Sequence, residues 1–261
     1  MNSARVFFYG GVTSFRALFG WLSPWIYIPS LLVAPVFQIL LFAFIGRQTH
    51  TNSDEFYVIG NALQYCAIPC IFAMGHTIEG ERNSQTLGYV LVTPAKRVPL
   101  FVGRSVPVIV NAAFAAAFSL VVGGLILGIS VPASSALPIA LVVLVTAAAC
   151  TGMGLMIAAI GFLVRETATL NNIVFGLLLV FCGVNVQLDV LPGWMSTIAQ
   201  GLPLTHGIEA ARSLADGAAL SSVWGWIGAE ALVGAVYGVL GYGMIRALEG
   251  LSRRRATLER A

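Results

Sequence analysis

Charge is what this 261-residue sequence has least of: Asp, Glu, Lys and Arg together make up 10% of it, against roughly 25% in a soluble domain. That scarcity excludes an ordinary water-solvated fold. Between Ala17 and Gly46 there is no charged residue at all. The pattern G-x-x-x-x-G-K-[ST] is absent from the sequence, so the loop that cradles nucleotide phosphates in many ATPases is missing. The three histidines, His50, His76 and His206, are scattered, which leaves no cluster for a nucleophile and base and counts against a membrane-embedded enzyme. The four cysteines lie in apolar runs. Cys66 and Cys70 share a helix face, and with Cys150 and Cys182 they read as small packing residues rather than as a disulfide or metal set.

What is present is hydrocarbon. Hydrophobic residues reach 58%, and the mean hydropathy is +0.88. A membrane span needs about 20 mostly apolar residues. The runs predict an all-α integral membrane protein with six transmembrane helices. The first covers residues 24–45 and the second 56–78. Two more occupy 105–164, with a turn at "SVPASSALP" (130–138), and the last two cover 167–188 and 223–245. Ahead of them, "MNSARVFFYGGVTSFRALFGWLSP" has no compact apolar core followed by a small-residue cleavage site. Its Phe7, Phe8, Phe15, Leu18, Phe19 and Trp21 predict an interfacial helix over 1–23. Positive residues collect on the cytoplasmic side. With both termini inside, only Arg47 and Arg212 of the 14 lysines and arginines face out. The net charge of +3 therefore reports topology and implies no nucleic-acid partner.

Two polar segments interrupt the spans. In "GHTIEGERNSQTLGYVLVTPAKRVP" (75–99), Asn83 is a candidate cap, and Thr86, Leu87, Val90 and Leu91 recur at helical spacing. Thr93-Pro94 stops that short helix, because the residue before a proline is driven out of helical geometry. Lys96 and Arg97 follow as a solvated or headgroup-facing pair. The stretch reads either as a plain cytoplasmic loop or as a short rigid projection that docks into another protein. The second segment, "LPGWMSTIAQGLPLTHGIEAARSL" (191–214), is too polar and proline-broken to span. It predicts two short helices dipping back from the outer face, which is tolerated where protein or water satisfies the backbone.

At these residues the sequence resembles the permease subunit of ABC-2 type exporters, whose members move drugs, polysaccharides and lipids. The family pattern E-R-E-x-G-T-L-E-x-L-L-x-T-P-x-x-R is matched at Glu81, Arg82, Thr86, Leu87, Leu91, Thr93, Pro94 and Arg97, and departed from at Asn83, Gln85 and Gly88. Gly88 weakens a helix by about 1 kcal/mol relative to Ala. The second pattern, N-P-L-T-[YH]-x-x-E-x-x-R, is matched at Pro203, Thr205, His206, Glu209 and Arg212, with Leu202 in place of the Asn. The resemblance implies that 79–104 is a cytoplasmic coupling segment and that 189–222 is an extracellular re-entrant segment capping the path. It also implies a single transmembrane domain: 24–78 as the first two spans, 105–188 as the third to fifth, and 223–261 as the sixth with a basic tail. The chain would bind no cofactor of its own. ATP and magnesium would sit on two separate ATPase subunits, and a second copy or a related permease would complete a dimer in the cytoplasmic membrane.

Inside the last span stands Glu230, about 10 Å from its expected start at 1.5 Å per residue. An intramembrane carboxylate is either functional or bonded to a neighbouring helix. Asn111 and Asn185, with Asn61, Gln64, Asn171, Asn172 and Gln187, suggest a polar path or interhelical hydrogen bonds. His206, Glu209 and Arg212 recur every three residues and are expected to form a set on one helical side. His206 and Glu209 have a spacing that suits zinc, but no third His or Cys is nearby on that side, so no metal is expected. A secondary transporter coupled through Glu230 is the main rival reading; it would need more ionisable groups near the midplane and a broken-helix repeat.

Overall fold

The computed structural model describes residues 25, 28–86, 97–129, 132–164 and 166–255. The expected interfacial helix over 1–23 and the motif residues Leu87, Leu91, Thr93 and Pro94 lie outside them. Arg97 is described as helical backbone. Among the described residues the fold is all helix. A π-helical turn, Ile28–Val33, leads into α1 (Ala34–Thr49). Then come α2 (Asp54–Gly75), the short α3 (Thr77–Asn83), α4 (Arg97–Leu127) and α5 (Ala136–Ile160), entered through a 3-10 turn at Ala133–Ser135. The remainder is α6 (Ala168–Phe181), α7 (Gly193–Gln200), α8 (Thr205–Ala215) and α9 (Leu220–Arg255).

Local chemistry sets these boundaries. Ser53 opens α2 by accepting the Phe56 N–H at 3.3 Å, and Asp54 and Glu55 in its first turn complement the helix dipole. Pro35 sits in the first turn of α1, where its missing N–H costs nothing. Gly128, at φ +73°, ends α4 in left-handed geometry.

Among the described residues four helices are long and apolar enough to cross a membrane: Asp54–Gly75, Pro99–Leu127, Ala133–Ile160 and Leu220–Leu248. The fifth expected span, 167–188, is a helix only over Ala168–Phe181. The chain turns at Cys182 and Gly183, where φ is +74°. Asn83, expected to open a helix, instead closes α3.

α2 and α5 occupy the centre, with α4 on one flank, α9 on the other and α1 against α2. Leu63, Cys66, Ile71, Cys150, Ile157 and Ile208 fill the space between them, and all four cysteines are free and buried there. α5 and α9 meet backbone to backbone. A methyl at Gly152 would stand 2.6 Å from the Gly234 carbonyl oxygen, and one at Gly241 would stand 2.6 Å from the Met156 nitrogen. The Gly234 and Gly238 pair thus finds its partner in α5, through the close approach that small residues permit.

Candidate functional site

Polar side chains gather at three levels of the bundle. At one end, α3 acts as a bracket across the ends of three longer helices. Glu81 pairs with Arg104 at the start of α4 and accepts the Thr86 hydroxyl. Arg82 donates to the carbonyls of Gly161 at 2.6 Å and Val164 at 2.9 Å, oxygens left over where α5 ends. Glu79 accepts the Thr167 N–H at 2.8 Å, along with its hydroxyl, at the entry of α6. His76 Nδ1 lies 3.1 Å from Glu79 and 3.0 Å from the Thr167 hydroxyl. Burial pushes the Glu79 carboxyl up, but these hydrogen bonds outweigh it and hold it below the ordinary carboxylate range. One seven-residue helix therefore holds α4, α5 and α6 together.

In the middle, four carboxamides meet among the apolar helices. Gln38 Nε2 on α1 donates to Asn61 at 2.8 Å and to Gln64 at 2.9 Å, both on α2. Asn61 in turn donates to Asn185 at 2.9 Å, past the end of α6. Asn111 lies half-buried on α4. Asn171 is fully buried against Gly75 with neither amide atom hydrogen-bonded, and exposed Asn172 donates back to Ala168 of its own helix.

At the opposite end, α7 and α8 fold over the bundle. Arg212 is mostly buried and donates to the carbonyls of Phe56 at 3.1 Å and Val184 at 3.0 Å. Its guanidinium also lies over the Phe56 ring, 3.5 Å from the centroid. Burial draws Arg212 down to about 10, with Glu209, 3.8 Å away, acting against the fall, so it stays charged at neutral pH. Gly60 makes the room, because a methyl there would stand 2.7 Å from the guanidinium. Of the expected three-residue set, Glu209 and Arg212 do meet. His206 turns elsewhere: its ring stacks on Trp226 of α9 at 5.8 Å, and Nε2 lies 3.0 Å from the Gln200 carbonyl. The Thr205 hydroxyl donates to Ala199 at 2.7 Å, closing α7 onto α8, and the Pro203 carbonyl accepts the Cys182 thiol at 3.5 Å.

Glu230 reaches this end from inside α9. It is ten residues past the helix start at Leu220, hence about 15 Å along the axis. It is 1% exposed. Its two oxygens accept the N–H groups of Leu204 at 2.6 Å and Gly207 at 3.1 Å, at the start of α8. A carboxylate there meets the unpaired N–H groups and positive dipole end of a helix. Beside α8 a cavity of about 710 Å³ opens between the first turn of α2 and the segment after α6; Glu55, Asp189, Glu209, Arg212, Asp216 and Trp226 are among its walls.

Comparison with protein families matches residues 14–215 to the ABC-2 type transporter family. The chain belongs to that family. Comparison with curated proteins gave no match. An ABC-2 chain is the permease of an ABC-type transporter, not itself the ATPase, and permeases of this family typically pair with ATPase subunits. In this ABC-2 permease the matched span takes in both polar ends and the carboxamide cluster, and stops short of Glu230. Glu79, Arg104 and Gln38 join these clusters from outside the two sequence motifs. Glu79 had a signal in its i,i+3 spacing from His76, and Gln38 had one as a lone amide in an uncharged span; Arg104, 23 residues from Glu81, had none.

Proposed function

We propose that this permease exports a hydrophobic or amphiphilic substrate across the cytoplasmic membrane, powered by two ATPase subunits that carry the ATP and magnesium. It would work as a dimer with a second copy or a related permease. Both termini would be cytoplasmic, six helices would span, the 1–23 helix would lie at the interface, and Arg253 to Arg255 would meet lipid headgroups. Glu81, Arg82, Thr86, Leu87, Leu91, Thr93, Pro94 and Arg97 form the coupling surface. Pro203, Thr205, His206, Glu209 and Arg212 belong to the outer gate. Asn185, Asn111 and the cluster around Asn61 contribute polar points to the path, while Glu230 holds the gate rather than carrying a coupling ion.

One observation supports this most: α3, which carries the Glu81-Arg82 start of the coupling motif, is bonded to α4, α5 and α6 at once. A push delivered near 81–97 would reach three helices together. Leu87 and Leu91 stand four apart, and burying both in a partner groove would contribute about 1.5 to 3 kcal/mol each. Leu91→Asp would put a carboxylate in that groove at a cost of several kcal/mol. It should abolish co-purification of the ATPase and leave membrane insertion and the size-exclusion profile unchanged. Lys96→Ala should change association by no more than about 1 kcal/mol. Normal ATPase association by Leu91→Asp, with loss in Lys96→Ala, would overturn the assignment of the docking face.

A further inference from the structure

We propose that Glu230 is the releasable latch of the outer gate, holding α8 shut against a strained turn at Leu204; this rests on the reading of α7 and α8 as that gate. The turn is the unusual element. Leu204 has φ +88° and ψ −35°, a conformation in which the Cβ of an L-residue crowds the backbone and which glycine adopts freely. Such an outlier persists only where its surroundings impose it, and these outliers concentrate at switches.

Here the imposing group is identifiable. The Leu204 N–H points at Glu230 Oε1 from 2.6 Å, and three residues on, the Gly207 N–H takes Oε2 at 3.1 Å. Gly207 is pressed so closely on α5 that a methyl there would stand 2.1 Å from the Thr146 hydroxyl oxygen. Both anchors come from the spanning helices, α9 and α5, and neither comes from the gate. No lysine, arginine or histidine side chain is bonded to Glu230 among the described residues; its partners are main-chain N–H groups at the start of α8. When the carboxylate lets go, the first turn of α8 loses its acceptors and Leu204 is free to relax. Closed and open become two discrete arrangements with the strain favouring release.

Glutamine tests this with little change of shape. Its oxygen can accept one of the two N–H groups, but its NH₂ then faces the other, so one bond is replaced by two opposed donors. The reporter is Ala211→Cys in α8, fully buried in the closed form, labelled on intact cells with a membrane-impermeant maleimide against a no-reporter background. Ser221→Cys, exposed at the start of α9, is the topology control. Glu230→Gln should speed Ala211→Cys labelling about tenfold, the scale of leaving one buried N–H unsatisfied, with an unchanged size-exclusion profile. Leu204→Gly and Leu204→Ala both remove the buried side chain, but only glycine removes the strain. The glycine variant should therefore label severalfold more slowly than the alanine variant.

An unchanged rate in a folded Glu230→Gln protein would overturn the latch. If Glu230→Gln aggregates, the Leu204 pair decides, and equal rates for glycine and alanine overturn the proposal. Labelling of Ser221→Cys only after permeabilisation would instead overturn the gate reading beneath it, and the latch with it.

Discussion

The two ends of the bundle are fastened at different depths. At the α3 end, Glu79, Glu81 and Arg82 reach sideways from a short helix to groups near its surface, and the Glu81 and Arg104 side chains keep 16% and 19% of their exposure. At the α8 end, Arg212 and Glu230 are sunk in protein and bind main-chain groups, among them the Leu204 and Gly207 N–H groups at the start of α8. Links that keep some contact with water exchange partners more readily than one as enclosed as Glu230, at 1% exposure, so the α3 end yields to a push more easily than that link. Buried links to the main chain leave unsatisfied groups when broken, so the α8 end resists until it switches.

Arg212→Ala offers the sharpest way to break that contrast. It would leave the Val184 carbonyl without its donor, take a second donor from the Phe56 carbonyl and remove the cation from the Phe56 ring, costing about 2 to 4 kcal/mol. The thermal unfolding midpoint in detergent should fall by several degrees, and an unchanged midpoint would show that α8 is held elsewhere. Arg82→Ala removes donors from two carbonyls at the end of α5, where water can take over, and should cost about 1 kcal/mol. A drop larger than that of Arg212→Ala would reverse the comparison. The smallest effect is expected for Glu81→Gln, within about 1 kcal/mol. Its difference from wild type should shrink further as salt rises from low ionic strength toward 1 M, because the pair is partly solvated. A salt-independent loss would mean that the Glu81 and Arg104 pair is more enclosed than its exposure implies.

The long apolar helices were legible because bilayer depth imposes long apolar runs, and the division of 191–214 into two short helices because of the prolines at 192 and 203. The links between elements were not. Gly124 and Gly128 have the same spacing as Gly234 and Gly238, yet Gly128 ends α4 while Gly234 packs on Ala149 of α5; spacing alone does not separate a turn from a contact. Glu230 stood out as a carboxylate in hydrocarbon, but its partners are N–H groups, which every residue except proline carries and no sequence pattern marks. A leucine at positive φ has no composition signal either. His206 illustrates the limit of periodicity: it shares a helical side with Glu209 and Arg212, and the stack on Trp226 decides where its ring goes.

The cap of α8 also imposes an order in time. Leu204 and Gly207 leave the ribosome before Glu230, so while α9 is still being made the start of α8 lacks its acceptor. The start of α8 is therefore completed only by a helix made after it. A nascent chain halted before residue 230 would hold most of its core with α8 unseated, exposing that end to quality-control proteases until synthesis resumes.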